Sequence, residues 1–266
     1  NTSPAIMIPK RLSQTWKSSV LPDAASVLVR GWHHRHPDWE FRLYDDQAAR
    51  EVMCSVAPDK IALYDALPFG VMRADLFRYA IIWRDGGVYA DIDMECLRAI
   101  DDLLEGHSCL LAIEARLGST RTRELGYAKA FQIANCIFAA KPRHPFIRAA
   151  LDRAFDLIAA CRHIDQHHVE DLTGPRMLTR LFFEGQWSDV ALAQPIVLMA
   201  PLFYPTAAPL GYNIRTRHRT FGTWKSDRGP TTLRRRWIER NRLVWPFPRR
   251  LTASDPGSIA PQESAK

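Results

Sequence analysis

The chain has 266 residues, 47% of them hydrophobic and 24% charged, a composition that supports a packed α/β core and argues against a disordered chain. Its five cysteines are odd in number, widely spread and free of any Cys-x-x-Cys pair, which speaks against a disulfide framework or a zinc site and for a reducing compartment. The formal charge is +7 and 29 of the 36 cations are arginine; a planar guanidinium can bond two phosphate oxygens at once, so anionic partners are expected.

No signal-peptide pattern opens the chain, and its first residue is Asn1 rather than methionine, which leaves room for an upstream anchor. The run from Ala5 to Trp16, interrupted by Pro9, predicts a first strand. A helix is expected from Ser26 to His36, closing at Pro37. In the run PDWEFRLYDD, Trp39, Phe41 and Leu43 alternate with Glu40, Arg42 and Tyr44, the period of a half-buried strand. Such a β-α-β opening is typical of nucleotide-binding α/β folds.

From Gly70 to Arg84 the apolar positions Met72, Leu76, Tyr79 and Trp83 fall at helical spacing, and Gly86 and Gly87 supply a terminator. Asp75 and Arg78 are three apart and share one face of that helix. Beyond the glycines, Val88, Ala90 and Ile92 alternate with Tyr89, Asp91 and Asp93. A strand running through Asp93 would send the apolar set inward and both carboxylates to the other side.

Residues 101–110 predict a helix and loop leading to a strand at Leu110–Ile113. A further strand is expected over Gln132–Ala140 and an amphipathic helix over Phe146–Ala160. The uncharged stretch Val190–Ile214 contains Pro195, Pro201, Pro205 and Pro209, so it is expected as strand and loop rather than as a membrane span. Beyond Pro230, seven arginines between Arg234 and Arg250 face a single acid, Glu239, with Trp237, Trp245 and Phe247 interleaved. The last residues, rich in Ser, Pro and Ala, have a disordered composition. The resulting division is a folded α/β domain over 1–227, a basic amphipathic segment over 228–250 and a tail over 251–266.

Two aspartates one residue apart offer hard oxygens to a divalent ion such as Mn2+ or Mg2+, which can bridge a diphosphate. A bare Asp-x-Asp is common by chance, so its context matters: an acid and a guanidinium on one helix face, a glycine pair, then YADID. The whole run from Tyr64 to Leu104, YDALPFGVMRADLFRYAIIWRDGGVYADIDMECLRAIDDLL, resembles the sugar-binding Asp-x-Asp region of glycosyltransferase family 32. That family includes fungal Golgi mannosyltransferases and is similar to clostridial toxin glucosyltransferases. Fainter likeness extends to IPKRLSQTWKS, PDWEFRLYDD, ANCIFAAKPRHPF, LTGP and HRTFGTW, covering the chain to about Lys225. Where the family has a histidine before the Gln-Thr-Trp triplet this chain has Ser13, Arg11 takes an apolar position, and Thr223 replaces a serine.

The resemblance implies a GT-A fold, a Rossmann-like nucleotide-binding sandwich with a mixed central sheet. It also implies metal-dependent transfer from a nucleotide-sugar donor, a UDP-sugar or GDP-mannose, with retention at the anomeric carbon. Carried over, it puts Trp16 against the base, Asp75 and Arg78 on ribose and phosphate or sugar, and Tyr89 beside the nucleoside. Asp91 and Asp93 fall around the metal with Asp93 as the direct ligand, and His218, Thr223 and Trp224 near metal and diphosphate. Asp91, Asp93 and Arg78 are the expected catalytic set, and Asn135 and Thr173 are further candidates beside their simple turn or cap readings. Glu114, Asp165 or Asp171 could assist a proton transfer. The acceptor would be a glycan, glycolipid or protein. The basic segment would suit an anionic membrane surface, and no nucleic-acid module is recognisable. The expected location is cytoplasmic, peripheral at the inner face of the membrane, or the Golgi lumen behind an upstream anchor.

Overall fold

The computed structural model describes residues 7–193, 197–199 and 215–219. The elements follow one another as β1 (Arg11–Thr15), α1 (Asp23–Arg35), β2 (Glu40–Tyr44), α2 (Asp46–Val56), α3 (Ile61–Asp65), α4 (Gly70–Asp85), β3 (Gly87–Ala90) and β4 (Met94–Cys96). They continue as α5 (Asp101–Leu104), β5 (Cys109–Arg116), α6 (Ser119–Glu124), β6 (Phe131–Ala140), α7 (Pro145–Ala160), α8 (Val169–Leu172), α9 (Pro175–Glu184), β7 (Val190–Ala193), β8 (Val197–Met199) and β9 (Thr216–His218). Thr223, Trp224, the basic segment 228–250 and the tail 251–266 lie outside the described residues. Among the described residues, no helix is long and apolar enough to cross a membrane.

The central sheet has the order β2-β1-β3-β6-β5-β7, and β6 alone runs against the others. This is the mixed α/β sheet expected from the sequence. Its strands alternate between two apolar layers. Tyr89, Cys109, Leu111, Ile133 and Phe138 join the layer under α2, α4, α7 and α9, while Leu12, Val88, Ala90, Leu110 and Ala112 join the layer beside α1 and α5. β2 lies at the edge of the sheet and does not keep the half-buried alternation assigned to it: Glu40, Arg42 and Leu43 are exposed, Phe41 is partly buried and only Tyr44 is buried. Trp39 and the partly buried Phe41 do pack on the α1 side, but Leu43 is 39% exposed and Tyr44 is buried on the opposite face, against Phe77.

α4 is buried along most of its length and packs between α2 and α7. It ends at Gly86, whose N–H makes the last helical bond to the Ile82 carbonyl and whose φ of +69° is readily adopted only by glycine. Gly87 follows at φ +98°, and a Cβ there would stand 2.6 Å from the Arg11 carbonyl oxygen. The glycine pair lets the chain reverse from α4 into β3 while β3 lies close against β1.

β3 stops at Ala90, which corrects the strand expected to continue through Asp93. Residues 91–93 form a turn in which the Met94 N–H bonds the Asp91 carbonyl at 2.9 Å. β4 then leaves the central sheet and pairs antiparallel with β9, Met94 opposite His218. Between Leu111 and Ile113 of β5 the partner residue shifts from Phe138 to Ile133, so two steps along β5 meet five along β6. This bulge aims the backbone of 134–136 toward the end of β3.

Candidate active site

Strands β1, β3 and β5 run in one direction, so their C-terminal ends share one edge of the sheet, where open α/β sheets bind ligands. The Asp91–Asp93 turn sits on that edge. The β6 bulge anchors it through the Cys136 carbonyl, which accepts the Asp91 N–H at 2.8 Å. From β1, the Gln14 amide donates to the Asp91 carbonyl at 3.3 Å.

Below the turn lies a buried ionic network built on α4. Asp75 is 2% exposed and Arg78 4%, and Arg78 Nη2 stands 3.0 Å from Asp75 Oδ1 and 3.1 Å from Asp91 Oδ1. Arg78 Nη1 donates to the Asn135 carbonyl at 2.6 Å, and its guanidinium lies 4.8 Å from the centre of the Tyr89 ring. Asp75 accepts from the Asn135 amide at 3.1 Å and from the Thr173 hydroxyl at 2.7 Å. The Tyr89 hydroxyl donates to Asp91 Oδ1 at 2.8 Å. Every member has a partner, the condition for a buried charge pair to persist.

The electrostatics follow from this crowding. Burial pushes the Asp75 carboxyl up to about 6 against the pull of Arg78 and the Thr173 hydrogen bond. Burial also raises Asp91, again opposed by Arg78, with the Asp93 charge adding to the rise. Arg78 is held charged: burial opposes it, but Asp91, Tyr89 and Asp75 outweigh that cost and raise its pKa.

Above the network, Asp91, Asp93 and His218 bring one ligand atom each to within 4.8 Å of one another. His218 Nε2 is 3.0 Å from Asp93 Oδ1, and its Nδ1 is buried without a hydrogen-bond partner. Burial lowers the histidine's proton affinity, but the Asp93 hydrogen bond and the charges of Asp93 and Asp91 overcome it and raise the pKa above 6.5. Two carboxylates, an imidazole and an orphaned ring nitrogen are a donor set that fits a divalent cation.

The structure thus gathers Asp75, Arg78, Tyr89, Asp91, Asp93, Asn135, Thr173 and His218 into one cluster. Trp16 lies at the end of β1 on the same edge, half-buried, with its backbone N–H on the Tyr44 carbonyl. Asp171 is taken up in ion pairs with Arg176 and Arg180, and Asp165 bonds its own loop at His167 and His168. Sequence reasoning passed over Gln14. Its signal was a buried polar residue in a strand, with no local reason to be there.

Residues 22–110 match the family described as glycosyltransferase sugar-binding region containing DXD motif. Among curated proteins, the chain is 37% identical over 97 residues to inositol phosphoceramide mannosyltransferase 3 of Schizosaccharomyces pombe, covering 36% of this chain and 27% of that protein. It is 27% identical over 240 residues to inositol phosphoceramide mannosyltransferase 1 of the same organism, covering 88% and 66%. The chain therefore spans less than two thirds of the length of these relatives. A crystal structure of the galactosyltransferase LgtC in complex with donor and acceptor sugar analogs aligns over 90% of this chain and 98% of that one, at 12% identity and a TM-score of 0.49. Over residues 22–110 this chain is similar to that family of glycosyltransferase sugar-binding regions, and Asp91-Ile92-Asp93 is the Asp-x-Asp sequence within the matched residues.

Proposed function

We propose that the chain is a metal-dependent, retaining hexosyltransferase that moves a sugar from a UDP-sugar or GDP-mannose to a hydroxyl of a glycan, glycolipid or protein. The observation that carries the reading is the Asp91–Asp93–His218 trio at the strand edge, with a buried imidazole nitrogen lacking a partner. Asp93 and His218 would hold Mn2+ or Mg2+ directly, with Asp91 beside them. The bound ion supplies Lewis acidity to the diphosphate oxygens of the donor.

The protein's own contribution is positioning and fixed charge. Arg78 and the Tyr89 hydroxyl pin Asp91 Oδ1 from below, so the carboxylate meets the donor in one orientation. Asp75 and Asn135 hold Arg78 in turn, and Asp75 and Arg78 are the candidate contacts for ribose and phosphate or sugar. Trp16 would stack on the base and Tyr89 lie beside the nucleoside, and Thr223 and Trp224, outside the described residues, remain the candidate diphosphate contacts. The basic segment 228–250 would bring the enzyme to an anionic membrane surface, either peripherally on the cytoplasmic face or inside the Golgi lumen.

The test is nucleotide release with Mn2+ across a panel of UDP- and GDP-sugars, comparing the intact chain with Asp93→Ala and with chelated metal. Release from one donor that needs both metal and Asp93 supports the reading. Release that survives the substitution, or none with any donor, overturns it.

A further inference from the structure

We propose that Gln14 and Trp32 are positioning residues of the metal site: from the apolar layer opposite Arg78 they fix two carbonyls of the turn that presents Asp93, and so set its affinity for a divalent cation. The inference rests on the reading of Asp91, Asp93 and His218 as a cation site and deepens it.

A turn that departs from a sheet leaves backbone groups without a strand partner, and a buried carbonyl must find a donor elsewhere. From Asp91 to Met94 the partners come from distant parts of the chain. The Asp91 N–H bonds the Cys136 carbonyl at 2.8 Å, the Asp91 carbonyl accepts from the Met94 N–H at 2.9 Å, and the Asp93 carbonyl accepts from the Arg219 N–H at 2.9 Å. Two side chains complete the set. The Gln14 amide donates to the Asp91 carbonyl at 3.3 Å, and the Trp32 indole N–H donates to the Met94 carbonyl at 2.8 Å.

Packing alone does not account for either donor. On β1, Gln14 shares the face of Leu12, which lies in the apolar layer beside α1. It is 3% exposed, and an amide buried there costs stability unless it is bonded. Trp32 is fully buried on α1, in the same layer as Met94. A phenylalanine ring would fill most of that space; what the indole adds is the N–H that reaches the turn. The two donors thus act on carbonyls on either side of Asp93, one from β1 and one from the helix that follows it.

Asp91 is thereby gripped from both layers. Arg78 and Tyr89 hold its carboxylate from the α4 side, and Gln14 holds its carbonyl from the α1 side. With Asp91 and Met94 fixed and the Asp93 carbonyl tied to Arg219, the backbone at Asp93 is held in one conformation, and its carboxylate meets His218 Nε2 at 3.0 Å. Losing either side-chain donor strands a buried carbonyl and lets the turn relax. A ligand that must then be ordered by the ion gives up affinity for it.

The test is calorimetric titration of the full chain with Mn2+, without donor, on Gln14→Met and Trp32→Phe, each of which keeps an apolar side chain in place and removes the N–H. Ile158→Val, on the buried face of α7, is the stability control, and thermal melts without metal compare all three with the intact chain. Gln14→Met and Trp32→Phe should each weaken Mn2+ binding about tenfold, the scale for groups that support metal ligands, while Ile158→Val leaves it unchanged. Nucleotide release in the two variants should need about tenfold more Mn2+ for half-saturation and return to within about twofold of the intact rate at saturating metal. A folded variant that loses melting temperature yet binds Mn2+ as the intact chain does makes its residue structural and overturns the assignment for it. If Trp32→Phe does not fold, Gln14→Met alone decides. Asp93→Ala separates the two readings: Mn2+ affinity lost there but kept in Gln14→Met and Trp32→Phe overturns only this inference, whereas unchanged affinity in Asp93→Ala overturns the metal site itself.

Discussion

Replacing Arg78 with methionine tests whether the buried network holds the fold as well as the site. The substitution keeps a helix-forming chain of similar length in α4. It removes the partner 3.0 Å from Asp75 and 3.1 Å from Asp91, together with the donor to the Asn135 carbonyl. Removing one member of a buried pair strands the other, a loss of roughly 3–5 kcal/mol. In a domain of this size that lowers the melting temperature by roughly 6–20 °C. Asp75 can escape by taking a proton, since burial already pushes it up to about 6 with Arg78 present, above the ordinary 3.8. Without the guanidinium its folded-state pKa rises further, so the folded variant binds this proton more readily than the unfolded chain. The variant's deficit relative to wild type should therefore be largest above the variant's raised pKa and shrink as the pH falls toward about 6, the value in the intact protein, because the unfolded-state value is common to both chains. Denaturant midpoints followed by tryptophan fluorescence at several pH values measure both effects. A deficit below about 1 kcal/mol, small beside the cost of a stranded buried charge, or one independent of pH, would refute the account.

Asp93→Ala and His218→Ala should each weaken Mn2+ binding by about tenfold or more, roughly 1.4 kcal/mol, measured by titration calorimetry. Because His218 holds a proton above its ordinary 6.5 and metal ligation needs the neutral ring, Mn2+ affinity in the intact chain should begin to fall at a pH above 6.5; a flat profile to lower pH would exclude the histidine. His36 and His144 are buried and accept backbone N–H bonds from Ile100 and Phe146 in the neutral form, and burial lowers both pKa values below 6.5. Their contribution to stability is complete above 6.5 and is lost as the pH falls through the depressed values, with a slope of up to about 1.4 kcal/mol per pH unit for each; denaturant midpoints in His144→Gln should show a shallower acid slope. Gly87→Ala meets the Arg11 carbonyl at 2.6 Å and a φ of +98°, and thermal melts should show a destabilisation of about 2 kcal/mol or more.

Most helices and inner strands were legible because length and periodicity agree. β6 and α7 fall within one residue of their expected ranges, since each is a long apolar run ended by turn chemistry, while β5 starts one residue earlier and runs three residues further than expected. α1 begins earlier than expected, at Asp23 directly after Pro22, because Asp23 and the following alanines extend the helix ahead of its apolar stripe. The alternation in 88–93 misled at its far end. Ile92 continues the apolar period, but the backbone there has already turned, and the carboxylates converge through that turn rather than through a shared strand face. The Asp75–Arg78 spacing was readable as one helix face; that this face is buried is a tertiary fact, fixed by Asn135 on the bulge and Thr173 after α8. Neither the five-against-two step in β6 nor the pairing of β9 with β4 leaves a local signature, since both depend on strands far apart in the chain.

The pairing of Met94 with His218 ties a segment more than a hundred residues downstream to the turn that carries the acids. Any cation held jointly by Asp93 and His218 therefore binds only while β9 is docked, and its binding energy adds to the stability of that docking by mass action. A metal held there would act as a fastener for the small sheet. The Arg217 and Arg219 amides should thus exchange with solvent more slowly as Mn2+ is raised, so backbone protection there reports site occupancy without any turnover.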